Sequence, residues 1–297
     1  MASSTPAELG PHIPVLCQTV VQQLALGPAA RVLDCTCGAG GHARALLAQV
    51  SQVWGVDRDP HARSLLTQQM AAYGDDRFRL LPGTFAAVAA ELVAAGTRFH
   101  GVLADLGVSS MQLDDEERGF GIRSAADADM RMGDGADLDC LSFIDATAED
   151  ELARIIREYG EERLAGRVAR VLKEARARGE RSAADLAAAV RRVIPGHHGR
   201  HPALRTFQAL RIAINGELEQ LQRLLELLPQ LLLPGGKAVI ISFHSLEDRL
   251  VKVAFREGRR AGVYDDISRR VLTADADEQA ANRRSASAKL RWAQRAH

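Results

Sequence analysis

The sequence predicts an α/β protein with a doubly wound, nucleotide-binding sheet and an inserted all-helical domain. Three observations lead to this prediction. Residues 31–42, Arg-Val-Leu-Asp-Cys-Thr-Cys-Gly-Ala-Gly-Gly-His, join an apolar strand to a glycine turn that opens a helix. Strands and helices then alternate as far as Asp105. The next convincing strand comes only about 130 residues later, whereas a strand–helix unit usually spans a few tens of residues.

The elements follow one another in a regular order. A short helix is expected within residues 12–26, where Gly27-Pro28 ends it. The later strands share an apolar body and are expected at 52–57, 78–81, 101–105 and 237–242. Helices of the sheet domain are expected at 43–50, 60–73 and 246–255. Residues 1–115 and 212–297 therefore form the sheet domain.

The long interval between the fourth and fifth strands reads as helices. They are expected at 152–159, 163–178 and 182–194, with one bent helix over 207–233. Residues 116–211 are therefore expected to form an inserted helical domain that recognises the substrate.

Acids follow three of the strands, at Asp34, Asp57 and Asp105. Ligands of open α/β sheets bind along this carboxyl edge, and Asp57 lies near the offset at which an acid binds ribose hydroxyls. Gly38, Gly40 and Ala43 nominally fit a dinucleotide pattern as well. Carboxylates stabilise the sulfonium and ammonium of S-adenosylmethionine but repel a pyrophosphate, which favours a methyltransferase over a nicotinamide enzyme. The alternative for Asp34 is that it caps the following turn.

Composition and charge exclude several classes of protein. The chain has 297 residues and a net charge of zero, which argues against a generally basic nucleic-acid binder. No apolar run reaches the roughly 18 residues of a membrane span, and no secretory signal is visible. The four cysteines lack metal-binding spacing, so a cytoplasmic location is expected.

The charge is nevertheless uneven along the chain. Residues 114–150 hold 3 basic and 12 acidic residues, 151–211 hold 14 and 7, and 249–297 hold 12 and 6. The two basic segments could form a positive face, or they could be solvated helix surfaces.

Two strand ends carry further polar residues. Ser109, Ser110 and Gln112 could bind the cofactor or an acceptor base, although the serines could equally shape a turn. Ser245 and Asp248 fit a capping box, which leaves Phe243 and His244 unexplained at the ligand edge.

A third candidate lies outside the strand ends. His197, His198 and His201 could suggest a metal, but histidines in a glycine-rich loop are more often solvated or phosphate-facing, so no metal is predicted.

Over nearly its whole length the chain resembles the bacterial 16S ribosomal RNA cytosine-N4 methyltransferase family, also called ribosomal RNA small subunit methyltransferase H. The runs that carry the resemblance include His12-Ile-Pro-Val-Leu16, Gly55-Val-Asp-Arg-Asp-Pro60, Asp105-Leu-Gly-Val-Ser-Ser110, Asp129-Met-Arg-Met132, Thr206-Phe-Gln-Ala-Leu-Arg-Ile212 and Ile241-Ser-Phe-His-Ser-Leu-Glu-Asp-Arg249. The resemblance implies a Rossmann-like methyltransferase fold. It also implies that the contacts to S-adenosyl-L-methionine come from Gly40, Gly41, His42, Asp57, Phe85, Asp105 and Gln112.

The resemblance also implies a substrate. The target is the N4 amino group of a cytidine in the decoding centre, in 16S rRNA within the small (30S) ribosomal subunit, which the helical insert helps to dock. Departures from the family pattern at Asp127, Ala128, Asp145 and Ala286 lie outside the cofactor edge. They therefore bear on RNA contacts more than on the chemistry.

We expect Asp105 to act at the reacting centre, as a cofactor neighbour and hydrogen-bond acceptor. Asn215, Phe243 and His244 are expected to contact the base. Two other functions stay open at this point: a non-catalytic ribosome-binding or assembly module, and a nicotinamide oxidoreductase. The oligomeric state is open too, with a homodimer as one option.

Overall fold

A seven-stranded sheet forms the centre of the computed structural model, which describes residues 14–194 and 201–297. The strands are β1 (Arg31–Asp34), β2 (Gln52–Asp57), β3 (Phe78–Pro82), β4 (Phe99–Asp105), β5 (Leu232–Ser242), β6 (Tyr264–Ile267) and β7 (Lys289–Arg295). Their order in the sheet is β3-β2-β1-β4-β5-β7-β6. Strands β1 to β5 pair in parallel, whereas β7 lies antiparallel between β5 and β6. The predicted α/β fold class is confirmed.

Helices cover the sheet and build the insert. In the part of the chain before β5 they are α1 (Cys17–Leu24), α2 (Gly41–Leu47), α3 (Pro60–Met70), α4 (Phe85–Ala94), α5 (Ser110–Asp114), α6 (Cys140–Ala146), α7 (Glu149–Gly160), α8 (Ala165–Ala177), α9 (Ala183–Val193), α10 (Ala203–Asn215) and α11 (Glu217–Leu231). After β5 come α12 (Ser245–Arg260) and α13 (Ala276–Ala281), followed by a 3₁₀ turn over Arg283–Ser287.

Local sequence explains where the elements near the ligand edge begin. The Asp59 side chain accepts a hydrogen bond from the His61 N–H at 3.0 Å and so caps α3, whose first residue is Pro60. Thr84 caps α4 in the same way. Because both caps directly follow strands, the loops after β2 and β3 are short and their conformation is fixed.

The expected single helix over 207–233 is wrong, because the chain folds there as two helices, α10 and α11. Gly216 separates them with φ +59°, a left-handed conformation that ends α10 and opens α11. Strand β5 also begins earlier than expected, at Leu232, and β6 and β7 were not predicted.

The expected capping box of Ser245 and Asp248 is wrong as well. His244 caps α12: its ring accepts a hydrogen bond from the Glu247 N–H, and the Glu247 carboxylate accepts one from the His244 N–H. Asp248 instead pairs with Arg291 of β7, at 2.7 Å.

The inserted helices bury a core of their own. One hydrophobic cluster, drawn from residues between Phe120 and Ile214, packs α6 to α10 together, and two other clusters lie on the faces of the sheet. The domain limits at 116 and 211 stay a prediction.

Candidate functional site

A cavity of about 380 Å³ lies at the carboxyl ends of the parallel strands. The loops after the parallel strands β1 to β5 form its wall, together with residues 14–15, residues from α10 and α11, and the 3₁₀ turn before β7. Of the predicted site residues, those on the wall are Gly41, His42, Asp57, Phe85, Asp105, Gln112 and Phe243. Gly40, Asn215 and His244 lie behind it. The carboxyl edge thus brings together side chains from five separate parts of the sequence.

The glycine turn after β1 is shaped by backbone requirements. Gly38 and Gly40 have φ values of +54° and +75°, in the left-handed region that favours glycine. A Cβ on Gly40 would also lie 2.3 Å from Cε of Met70, so this glycine lets the turn approach α3. The Gly38 N–H donates a hydrogen bond to Oδ2 of Asp57, at 2.7 Å, and so ties the turn to β2.

Asp57 is held by two backbone donors. Its Oδ2 accepts from Gly38 and its Oδ1 accepts from the Asp59 N–H at 2.8 Å. Burial raises the pKa of Asp57, although these two N–H groups and Arg63 oppose the shift. Each carboxylate oxygen has lone pairs beyond the one in use, so the fixed carboxylate can still accept hydrogen bonds from a ligand's hydroxyl groups.

The buried side chain of His42 lies beside Asp105, one of the strand-end acids. His42 Nε2 lies 3.4 Å from Oδ2 of Asp105. Burial lowers the pKa of His42, but Asp105, the Cys17 thiol and the charge of Asp34 outweigh burial and raise the pKa to about 10. His42 is therefore an imidazolium at neutral pH, with Asp105 at its side.

Asp34 lies beneath the cavity wall and is fully buried. Burial raises its pKa to about 6, against the opposing effects of His42 and of the Thr36 N–H. Within the described residues, Oδ2 of Asp34 and Oδ1 of Asp105 have no hydrogen-bond partner. The Asp105 side chain is 23% exposed, and because its Oδ1 is buried, a bound ligand reaches this carboxylate on the side of Oδ2.

Gln112 uses its side chain within the protein. Its Oε1 accepts from the Ser109 N–H at 2.9 Å, and its Nε2 donates to Asp59 Oδ2 at 3.0 Å and to the Met132 carbonyl at 3.1 Å. Arg118 also donates to Asp59 Oδ2, at 2.9 Å. Gln112 therefore forms part of the wall and fixes α5 to the loop after β2.

Asn215 ends α10 and is almost completely buried. Its Oδ1 accepts from the Met132 N–H at 2.8 Å, and its Nδ2 donates to the carbonyls of Met130 at 2.8 Å and Arg211 at 2.9 Å. Met130 has φ +60°, which is unusual for a side chain of that size. Asn215 thus holds the 130–132 segment against α10. A base contact by Asn215 stays a prediction.

Three charged side chains on the opposite wall were not predicted. Arg211 donates to both oxygens of Glu217, at 2.7 and 2.9 Å, from a half-buried position. Glu247 is also buried, which raises its pKa, but His244, the Phe243 N–H and Arg211 outweigh burial, so the pKa is lowered. Their sequence signals are weak: Glu217 follows the Asn-Gly break, and Arg211 and Glu247 lie within runs that carry the family resemblance. The three side chains place paired charges beside Phe243 on the cavity wall.

Among residues 14–194 and 201–297, the side chains whose donor atoms could share a metal ion are Glu217, His244 and Glu247. Arg211 already occupies both oxygens of Glu217, and His244 Nε2 lies 3.2 Å from Oε1 of Glu247. These charges are therefore neutralised within the protein. Of the loop histidines, His201 accepts a hydrogen bond from the Ala203 N–H at 3.2 Å, and His197 and His198 lie outside the described residues.

The chain is similar to known proteins over nearly its whole length. The model of the MraW methylase family matches residues 10–296. The ribosomal RNA small subunit methyltransferase H of Cyanothece sp. is 43% identical over 296 residues, which cover 98% of this chain and 97% of that protein. The protein of the same name from Sorangium cellulosum is 44% identical, over 96% of this chain and 90% of that protein.

The chain is also similar to a solved structure. An rRNA methylase from Streptococcus thermophilus is 10% identical with a TM-score of 0.44, over 97% of this chain and 100% of that one. In the part of the chain that the structure describes, every helix is too short or too polar to cross a membrane.

Proposed function

The chain belongs to the MraW methylase family, and from that premise we propose that it methylates the N4 amino group of a cytidine in 16S rRNA of the small ribosomal subunit. It is a methyltransferase, and S-adenosylmethionine is its cofactor. The observation that supports the site is the cavity itself, which places Asp57, Asp105 and Phe243 around one enclosed space. A ribosomal substrate agrees with the expected cytoplasmic location.

The residues present fit S-adenosylmethionine. Asp57 is pre-oriented for the ribose hydroxyls, and Phe85 lies on the same wall. The Asp105 carboxylate lies on the cavity wall and is partly exposed, so it can accept a hydrogen bond from an ammonium group. When bound, this cofactor supplies an electrophilic methyl group. Gly40, Gly41 and His42 shape the wall beside it.

The sheet disfavours the nicotinamide alternative. A dinucleotide-binding sheet runs in the order 3-2-1-4-5-6, whereas here the antiparallel β7 lies between β5 and β6. The carboxylates of Asp57, Asp59 and Asp105 on the wall would also meet a pyrophosphate with like charge.

The acceptor enters on the side of Phe243. The amino nitrogen of cytosine is a poor nucleophile, because its lone pair is delocalised into the ring. The protein must therefore hold it in line with the methyl group at about 3 Å. Phe243 offers an aromatic face for stacking, and the Asp105 carboxylate accepts a hydrogen bond from the amino group. The nitrogen gains the methyl group and gives up one proton, which the Asp105 carboxylate accepts and passes to solvent.

A cytidine in folded RNA has to leave its stack before it reaches this cavity. The cavity therefore takes an unstacked nucleotide, and the small subunit is proposed as its source because the relatives are named small subunit methyltransferases. His244 supports the base side indirectly, since it caps α12 just behind Phe243.

The test is transfer of labelled methyl from S-adenosylmethionine to small subunits that lack the mark, to free 16S RNA and to large subunits, followed by nucleoside digestion. We expect label in N4-methylcytidine from small subunits. Asp105→Ala should abolish the label, while Glu158→Gln, an exposed change in the insert, should leave it unchanged. Label on another nucleoside, or full activity of Asp105→Ala, would contradict the proposal. Tight cofactor binding without label on any RNA would favour a ribosome-binding module.

A further inference from the structure

The outer face of α12 carries a row of basic side chains. Arg249, Lys252, Arg256 and Arg260 are spaced by three, four and four residues, and all four are exposed. At 3.6 residues per turn these positions fall within an arc of about 80°. They form one continuous strip, which we name the α12 stripe.

The opposite face of α12 fixes the direction of this stripe. Val251 and Phe255 are buried against the sheet, and the Phe255 ring packs edge-on against Tyr264 of β6 at 5.7 Å. Since the stripe lies on the far side of the helix, its charges point away from the protein.

Most of the positive charge of the stripe has no acidic partner within the described residues. Lys252, Arg256 and Arg260 have no acidic oxygen of residues 14–194 or 201–297 within 4.0 Å, and Arg249 lies 3.6 Å from Glu161. The neighbouring Arg259 differs, because it pairs with Asp266.

Several arginines of the insert show the contrast. Arg154, Arg176 and Arg181 pair with acids at 2.6, 2.8 and 2.5 Å. Their charge is used inside the protein, whereas the charge of the stripe is available to an external anion.

The stripe begins at the mouth of the cavity. Phe243 and Glu247 lie on the cavity wall, and Arg249 follows within one turn of α12. From Arg249 to Arg260 the helix rises about 16 Å, so the stripe leads from the mouth along the side of the sheet domain.

We infer that the α12 stripe binds the phosphate backbone of the RNA strand that flanks the base in the cavity. The inference rests on the proposed function, and it places phosphate contacts on the sheet domain as well as on the insert. Successive charges lie about one helical turn apart. Such a row neutralises a chain of phosphates without reading their sequence. The base itself is recognised by the residues of the cavity wall.

The experiment measures binding of a 16S RNA fragment, and methylation of small subunits, over a series of salt concentrations. The variants are the triple change Lys252→Gln, Arg256→Gln and Arg260→Gln, and the single change Arg256→Gln. Arg98→Gln is the matched control. Arg98 is exposed just before β4, at the amino ends of the parallel strands, whereas the cavity lies at their carboxyl ends.

Each lost phosphate contact should reduce the slope of log affinity against log salt by about 0.7 for single-stranded RNA, hence by about 2 for the triple variant. The KM for subunits should rise, while the Kd for S-adenosylmethionine and the unfolding midpoint stay at the wild-type values. Arg98→Gln should behave as wild type.

A wild-type slope and KM in the triple variant would overturn the inference. The triple variant is also tested for binding to poly-glutamate. If it loses that binding while RNA binding stays intact, the partner of the stripe is an acidic peptide and the inference is overturned. Failure of the proposed function is seen separately, as absence of methylation by the wild-type protein. The salt slope of RNA binding then still decides the role of the stripe.

Discussion

Replacing Asn215 by alanine tests whether this side chain holds the 130–132 segment or contacts the base. The change removes the partner of the Met132 N–H and of the Met130 carbonyl, both in buried surroundings. The Arg211 carbonyl is less affected, since it also lies within reach of the helical N–H four residues on.

The structure gives the size of the effect. A buried donor or acceptor that loses its partner costs about 1–3 kcal/mol, so two such groups cost about 2–6 kcal/mol of unfolding free energy. That is a large part of the 5–15 kcal/mol by which a typical domain is stable. The Met130 backbone, at φ +60°, also loses the bond that holds it in this conformation.

Urea unfolding measures the change as a lower midpoint at an unchanged m value. Gln208→Ala is the graded control, because it removes a single hydrogen bond, to the Tyr159 carbonyl at 3.0 Å, from a half-buried site. It should cost about 0.5–1.5 kcal/mol. An unfolding free energy of Asn215→Ala within about 0.5 kcal/mol of wild type, with a raised KM for RNA, would refute the structural role and favour a base contact.

Three further predictions concern the cofactor side. Asp57→Asn should raise the Kd for S-adenosylhomocysteine about 10- to 100-fold in calorimetry, because it removes a charge-assisted hydrogen bond worth about 1.5–3 kcal/mol; an unchanged Kd would contradict the ribose contact. Gly40→Ala should lower the free energy of unfolding, measured in urea, more than Gly38→Ala does. Both glycines have positive φ, but only the new Cβ at Gly40 would lie against α3, 2.3 Å from Cε of Met70. Equal losses in the two variants would contradict this prediction. The folded-state pKa of His42, about 10, lies above the ordinary histidine value of 6.5. The stabilisation by protonated His42 is therefore complete below pH 6.5 and is lost as the pH rises through 10, at up to about 1.4 kcal/mol per pH unit. His42→Phe should flatten that decline in urea unfolding at pH 7 and 9, whereas the exposed His61→Gln should leave it unchanged; a slope retained in His42→Phe would refute the assignment.

The parts of the fold that local sequence specifies were predictable. The glycine turn, the apolar strands with Asp34, Asp57 and Asp105 at their ends, and the helical character of the insert depend on residues close together in the chain. Phe85, which only the resemblance supplied, lies on the cavity wall, as does Gln112.

Contacts between distant parts of the sequence were not predictable. Asn215 and Met130 are 85 positions apart, and their hydrogen bond exists only because the insert folds back on α10. Strand β7 alternates weakly between apolar and charged residues, and it becomes a strand by pairing with β5 and β6. No role was predicted for Glu247, because only the contacts of α12 with Arg211 and His244 place it on the cavity wall.

A crystal structure with S-adenosylhomocysteine and cytidine 5′-monophosphate would test the central claim most directly. The account predicts the ribose of the cofactor product at Asp57 and the cytosine ring against Phe243, with its amino group facing the Asp105 carboxylate. Cytidine bound away from Phe243 and Asp105, with the cofactor product in the cavity, would contradict the proposed acceptor site. A cavity that takes NAD and rejects S-adenosylhomocysteine would contradict the account as a whole.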